Sequence, residues 1–150
     1  MGSRRKSREL AVQALFQIDM NPGLRGEQSL AIFGENFPMA EDDRPFFSRL
    51  VRGVCDHLKE IDRVIRRHSE NWRLERMSRV DRNILRLAVF EISYCPDIPP
   101  RVAINEAIEL GKYFGSEESG AFINGILDSI YLEKNQTSPG EESESSISKP

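Results

Sequence analysis

Large apolar residues return every three or four positions along most of the chain, in blocks separated by turn residues. Ala11, Ala14, Leu15 and Ile18 mark the first block. Ser3 is placed to cap it and Asn21-Pro22-Gly23 to stop it, which predicts a helix over about 4–20. A short amphipathic piece over 28–36 presents Leu30 and Phe33, with Phe37 just beyond. It ends before Pro38, because the residue preceding a proline avoids the helical region. Asp42 and Asp43 then form an acidic cap and Pro45 fits a first turn. Phe47, Leu50, Val51, Val54, Leu58, Ile61 and Ile65 draw one apolar stripe, the mark of one long helix or of two abutting ones.

After a connector holding Trp72, Ser78-Arg79-Val80-Asp81 reads as a capping box in which Asp81 takes the place usually held by Glu or Gln. The helix that follows, to about residue 94, carries Val80, Ile84, Leu87, Ala88 and the stretch from Phe90 to Ile92 on more than one face, as a helix enclosed by others would. Pro96, Pro99 and Pro100 stiffen the next connection. Val102, Ala103, Ala107, Ile108 and Leu110 form a further stripe that ends with Gly115 at the C-cap. Ser116 is expected to cap a last helix with Glu117 and Glu118 at the positive end of its dipole. Phe122, Ile123, Ile126, Leu127 and Ile130 face inward there, and the helix finishes near 132. No short segment alternates apolar and polar residues between turn signals, so the expected fold is all-α, with about six to seven helices.

Composition narrows this picture. A chain of 150 residues, 39% hydrophobic, builds one compact domain or two small packed subdomains. From about residue 135 the sequence turns to Ser, Glu, Pro and Gly, with Ile147 as its one large apolar residue. Such a segment cannot offset the entropy of ordering, so 135–150 is expected to be a disordered acidic, Ser-rich tail. The net charge of −3 is ordinary, but the charges are segregated: Arg4, Arg5, Lys6 and Arg8 crowd one end, Glu141, Glu142 and Glu144 the other. No apolar run nears the roughly 20 residues a membrane helix needs, and none follows the basic start as a secretion signal would, so the expected location is cytoplasmic. Cys55 and Cys95 sit far apart in apolar helical contexts, as reduced core thiols do.

The basic cluster is the first candidate for chemistry. On a helix, Arg8 falls one turn on from Arg4 and Arg5, giving a basic stripe that projects beyond the core, and guanidinium forks bind phosphate oxygens in pairs. A solvated, fraying terminus has the same composition. Phe16, Phe114 and Phe122 lie near helix ends or polar neighbours, where they would stack on bases or simply pack into the core. Enzymatic readings find no support. Cys55 and His57 are about 200° apart around a helix and cannot share a metal. No Gly-rich phosphate loop follows a strand, and Glu106 and Glu109 belong to a charged surface stripe with Lys112, where ion pairing explains them. The expectation is a protein without catalytic activity, cofactor or metal.

Ile98-Pro99-Pro100-Arg101-Val102-Ala103-Ile104-Asn105-Glu106-Ala107-Ile108-Glu109-Leu110-Gly111-Lys112-Tyr113-Phe114-Gly115 resembles the signature of the NusB family, as does Phe122-Ile123-Asn124-Gly125-Ile126-Leu127-Asp128. Arg8-Glu9-Leu10-Ala11-Val12-Gln13-Ala14-Leu15-Phe16 and Arg82-Asn83-Ile84-Leu85-Arg86-Leu87-Ala88-Val89-Phe90-Glu91 are similar to further motifs of that family, in the family's order. The resemblance covers the helical body from Arg4 to about Leu132. It implies two small helical bundles packed together, here a NusB-like region over 1–134 with subdomains of about 1–70 and 71–134. It also implies binding of boxA-type single-stranded RNA as a heterodimer with the ribosomal protein NusE, in a complex that helps RNA polymerase read through terminators and transcribe rRNA. Arg4, Arg5, Lys6 and Arg8 match the family's basic RNA-binding stretch, Phe114, Glu118 and Phe122 its RNA-facing end, and Phe16 and Asp81 its NusE interface. The sequence departs from its relatives at the last two, where tyrosine and glutamate are common: a phenolic hydroxyl is missing and a carboxylate arm is shorter. The resemblance leaves open an accessory domain of an rRNA methyltransferase and a homodimeric scaffold whose basic surface is occluded by self-association. It is also open whether the acidic tail folds back on the basic end.

Overall fold

The computed structural model of the chain describes residues 3–21, 23, 28, 30–31, 39–69 and 73–137. Six α-helices are bounded among them: α1 Ser3–Met20, α2 Arg44–Asp56, α3 Leu58–His68, α4 Arg79–Tyr94, α5 Pro100–Phe114 and α6 Ser119–Thr137, with 3-10 turns at Glu41–Asp43 and Leu74–Arg76. No strand occurs among the described residues, as the all-α reading expected. Of the piece predicted over 28–36, Gln28, Leu30 and Ala31 are helical. Its other residues, Trp72 and the tail from 138 onward lie outside the described residues.

The stripe from Phe47 to Ile65 resolves into two helices. His57 leaves the helical region with φ −115° and ψ 22°, while its N–H still donates to the Gly53 carbonyl at 3.1 Å. The same apolar face continues on both sides of the break. Asp43 occupies the cap position of α2 without a side-chain cap bond, and its carbonyl instead accepts from the buried Ser7 hydroxyl of α1 at 2.8 Å. Ser78 caps α4 as expected, its Oγ accepting the Asp81 N–H at 3.0 Å. α6 starts later than the sequence indicates and ends later. Its first residue is Ser119, not one following a Ser116 cap, and it runs to Thr137 rather than about 132. The extra length follows from Glu133, which accepts from Arg67 and His68 and ties this end of α6 to α3.

α4 is the centre. It packs against each of the other five helices, and every residue from Asn83 to Ile92 is buried. Its dry faces include charged groups, which persist only where partners wait. Arg86 donates to both oxygens of Asp62 on α3 at 2.9 and 3.0 Å. Arg82 and Asn83 converge on Asp19 of α1 at 2.8 to 3.1 Å. Burial works against the charge on Asp19, but the bonds from Arg82 and Asn83 and the charge of Arg86 hold its carboxyl below the ordinary range. Close approach shapes the packing as well: a Cβ on Gly53 would run into the Phe90 ring, so α2 lies directly on α4 there.

Candidate nucleic-acid interface

α1 begins with the basic residues, and the structure divides them. Arg4, Arg5 and Lys6 are exposed, whereas Arg8 is 4% exposed and turned inward. Its Nε and Nη2 make three hydrogen bonds of 2.7 to 3.1 Å to the carboxylate of Glu91, itself 1% exposed in the last turn of α4. The stripe expected to project from the core is thus corrected at Arg8: one turn beyond Arg4 the helix already lies on α4, and the guanidinium is spent on a buried acid. Burial pushes the Glu91 carboxyl above its ordinary value, against the pull of Arg8.

The exposed arginines also have partners, in wetter surroundings. The Arg4 guanidinium lies 4.4 Å from the centre of the Phe46 ring and 3.6 Å from Asp97, which pairs more closely with Arg49 at 2.7 Å. The hydrogen bond from Arg49 holds the Asp97 carboxyl far below its ordinary range. Arg5 grips Glu106 of α5 through Nε at 3.1 Å and Nη2 at 2.7 Å, which lowers that carboxyl too. An arginine fork so engaged keeps Nη1 and part of Nη2 for a further acceptor. The Lys6 ammonium is exposed.

From Arg5 the surface runs on to aromatics. Arg5, Glu9, Glu106, Glu109, Leu110 and Tyr113 line a cleft of about 120 Å³ between α1 and the end of α5. Its carboxylates leave little attraction for phosphate inside it, so the positive charge acts from its rim and from Arg4 and Lys6. Tyr113 is 76% exposed and meets Phe114 edge-on, with centroids 4.8 Å apart at 85°. Phe114, half-buried, shares a hollow of about 300 Å³ with Phe16, Val12, Gln13, Gln17 and Val80. One residue further along α4, Asp81 lines a third hollow of about 360 Å³ with Glu118, Phe122, Ser78, Ser116 and Ser119. The residues matched to RNA and those matched to the partner therefore meet pairwise, Phe114 with Phe16, and Glu118 and Phe122 with Asp81.

The turn joining α5 to α6 is organised by Ser119. Its hydroxyl donates to Asp81 Oδ1 at 2.7 Å and accepts the Ser116 N–H at 2.9 Å, while the Ser119 N–H donates to the Ser116 carbonyl at 3.1 Å. Ser116 is the cap the sequence predicts; of the two serines one helical turn apart, Ser119 takes the role because Asp81 of α4 accepts its hydroxyl proton and leaves its oxygen to accept the Ser116 N–H. Sequence reasoning also left Tyr113 and Glu91 without roles. The family motif contains both, but exposure and a partner 83 residues away are not visible in it. Among the described residues no group of three or more His, Cys, Asp or Glu side chains could hold a metal, and no helix is long and apolar enough to cross a membrane.

Comparison with known proteins gives a consistent result. The sequence model of the NusB family matches residues 5–132. The transcription antitermination protein NusB of Desulfatibacillum aliphaticivorans is 54% identical over 134 residues, 88% of this chain and 92% of that protein. The structure of T. maritima NusB is 40% identical, with a TM-score of 0.78 over 87% of this chain and 91% of that one. A crystal structure of the antitermination factors NusB and NusE in complex with dsRNA also matches, at 28% identity and a TM-score of 0.78, covering 89% and 98% of the two chains.

Proposed function

The chain belongs to the NusB family, and from that premise we propose that it is a transcription antitermination factor that binds boxA-type RNA together with NusE and supports read-through by RNA polymerase. Arg4, Arg5 and Lys6 meet phosphates in this reading, Phe114 and Phe122 take bases, and Glu118 contacts the strand as it passes the α5–α6 turn. Phe16 and Asp81 face NusE. Arg8 serves by fixing α1 on α4. The protein acts by binding, without catalysis or cofactor, in the cytoplasm. Packed subdomains of about 1–70 and 71–134, with the acidic tail beginning after α6, belong to the same reading.

One observation carries the RNA surface: the cleft of Arg5 contains Tyr113, which abuts Phe114, which shares a hollow with Phe16. The Arg5 fork and the aromatic faces of Tyr113 and Phe114 are thus linked through neighbouring hollows, which supports a reading in which phosphates are met at one end and bases at the other. Binding to RNA alone is modest, because a small domain offers few contacts. A partner with its own RNA surface raises affinity by placing two weak sites on one ligand. Titration of a boxA-containing RNA at two salt concentrations, with and without NusE, tests this. Much tighter binding with NusE is expected, and for the protein alone a logarithmic salt slope of about −2 if three phosphates are neutralised at about 0.7 each. Equal affinities with and without NusE would overturn it.

A further inference from the structure

We infer that Ser119 is a positioning residue that couples the partner-facing start of α4 to the RNA-facing turn, through its hydrogen bond to Asp81. The inference rests on the functional reading above and adds a physical link between two surfaces that reading treats separately.

Ser119 is 1% exposed, and its hydroxyl is fully committed. A serine hydroxyl has one donor, and here it goes to Asp81 Oδ1 at 2.7 Å; the oxygen meanwhile accepts the Ser116 N–H at 2.9 Å. One atom therefore touches both α4 and the turn. The turn is closed tightly around it. Gly115, with φ −101°, has extended backbone open to any residue, yet a Cβ there would come within 2.7 Å of Ser119 Cβ and closer still to its Oγ. Glycine is needed at 115 for space rather than for handedness, and the space is occupied by Ser119. Phe114 leads into this turn, and Glu118 and Phe122 lead out of it.

At the other end, Asp81 is fixed by its own N–H, held by Ser78 Oγ at 3.0 Å. Its Oδ1 takes Ser119, and Oδ2 carries no hydrogen bond among the described residues. A partner group that binds Oδ2 holds the carboxylate in the rotamer that engages Ser119. That keeps the 115–119 turn in its bonded form before RNA arrives and lowers the ordering cost of binding. By linkage, RNA on Glu118 and Phe122 favours the same carboxylate rotamer and so the partner. A hollow of about 360 Å³ lined by Asp81, Ser119, Glu118 and Phe122 places the two contacts side by side.

The test is RNA titration without NusE and with NusE at saturation, read as the ratio of the two Kd values. The proteins are wild type, Ser119→Ala, Asp81→Asn, Asp81→Ala and the double variant Ser119→Ala/Asp81→Ala. A serine that only stabilised the fold would weaken both titrations alike and leave the ratio unchanged. The expected result is a ratio that falls about tenfold in Ser119→Ala. Asp81→Asn, whose amide oxygen still accepts from Ser119, should keep more of the ratio than Asp81→Ala, and the double variant should lose no more than Asp81→Ala alone. A wild-type ratio of one overturns the functional reading and the inference with it. A wild-type ratio above one that Ser119→Ala leaves intact, or losses that add in the double variant, overturns the inference alone. If Ser119→Ala does not fold, equal ratios in Asp81→Asn and Asp81→Ala overturn it.

Discussion

Arg8 and Glu91 face each other across the contact between α1 and α4, Nη2 2.7 Å from Oε1, with both side chains almost free of solvent. The pair sets the purpose of the basic segment. Immediately before it the arginines are exposed and exchangeable; at Arg8 the charge is structural, and the exposed residues inherit their position from it.

Loss of one member of this pair should be costly. Arg8→Ala leaves the Glu91 carboxylate buried without its partner, for which about 3–5 kcal/mol of destabilisation is expected, while replacing both by apolar residues of similar volume should cost much less. Urea denaturation of the single and double variants measures this. A single variant as stable as wild type would contradict the anchoring role.

RNA binding should separate the basic from the aromatic residues. Lys6→Ala should flatten the logarithmic salt slope by about 0.7. Phe114→Ala should leave that slope unchanged and weaken binding by about 1–3 kcal/mol through lost stacking. The slopes are read from Kd values at several salt concentrations. A Phe114 variant that binds normally would place the bases elsewhere.

Acid should loosen α1 from α5. The hydrogen bond from Arg5, opposed by partial burial, holds Glu106 below its ordinary value near 4.5. A carboxyl depressed in the folded chain contributes stability above its unfolded pKa, and that contribution is lost as pH falls through the folded value. Glu91, raised by burial, changes in the opposite sense, so the difference between wild type and Glu106→Gln isolates the first effect. Thermal melts from about pH 6 downward should show the gap between the two proteins closing below about pH 4.5. A gap independent of pH would rule this out.

Gly53→Ala should destabilise despite alanine's better helix propensity, since the added Cβ meets the Phe90 ring. Overpacking of this kind costs about 1–3 kcal/mol. Phe90→Leu in the same chain should recover part of it, and calorimetric Tm values would show whether it does.

Much of this architecture was legible in the sequence, because helix period and capping are local. Ser78 caps α4 where its spacing to Asp81 indicated, and the apolar faces of α4 marked it as central. Two abutting helices were one of the two readings open for this stripe, but the choice between them and the position of the break at His57 were not legible, since Val54, Leu58 and Ile61 keep one periodicity across it and only the backbone departs. Nor was the inward turn of Arg8. Whether an arginine faces water or core depends on an acid 83 positions away, just as the hold on Arg5 depends on Glu106, 101 positions away. Local chemistry also could not rank Ser116 against Ser119, because what decides between them is Asp81 on another helix. The sequence places groups along helices; tertiary packing decides which of them meet.

The charged residues inside α4 have a consequence for assembly. Arg82 and Asn83 reach Asp19, Arg86 reaches Asp62, and Glu91 receives Arg8, each from a different angle around one helix. Were α4 to slip by a turn or roll by one residue's 100°, its oily side chains would still find oily neighbours, but several ions would be stranded in a dry interior. The helix behaves like a cut key, indifferent in its smooth parts and admitted in a single orientation by its teeth.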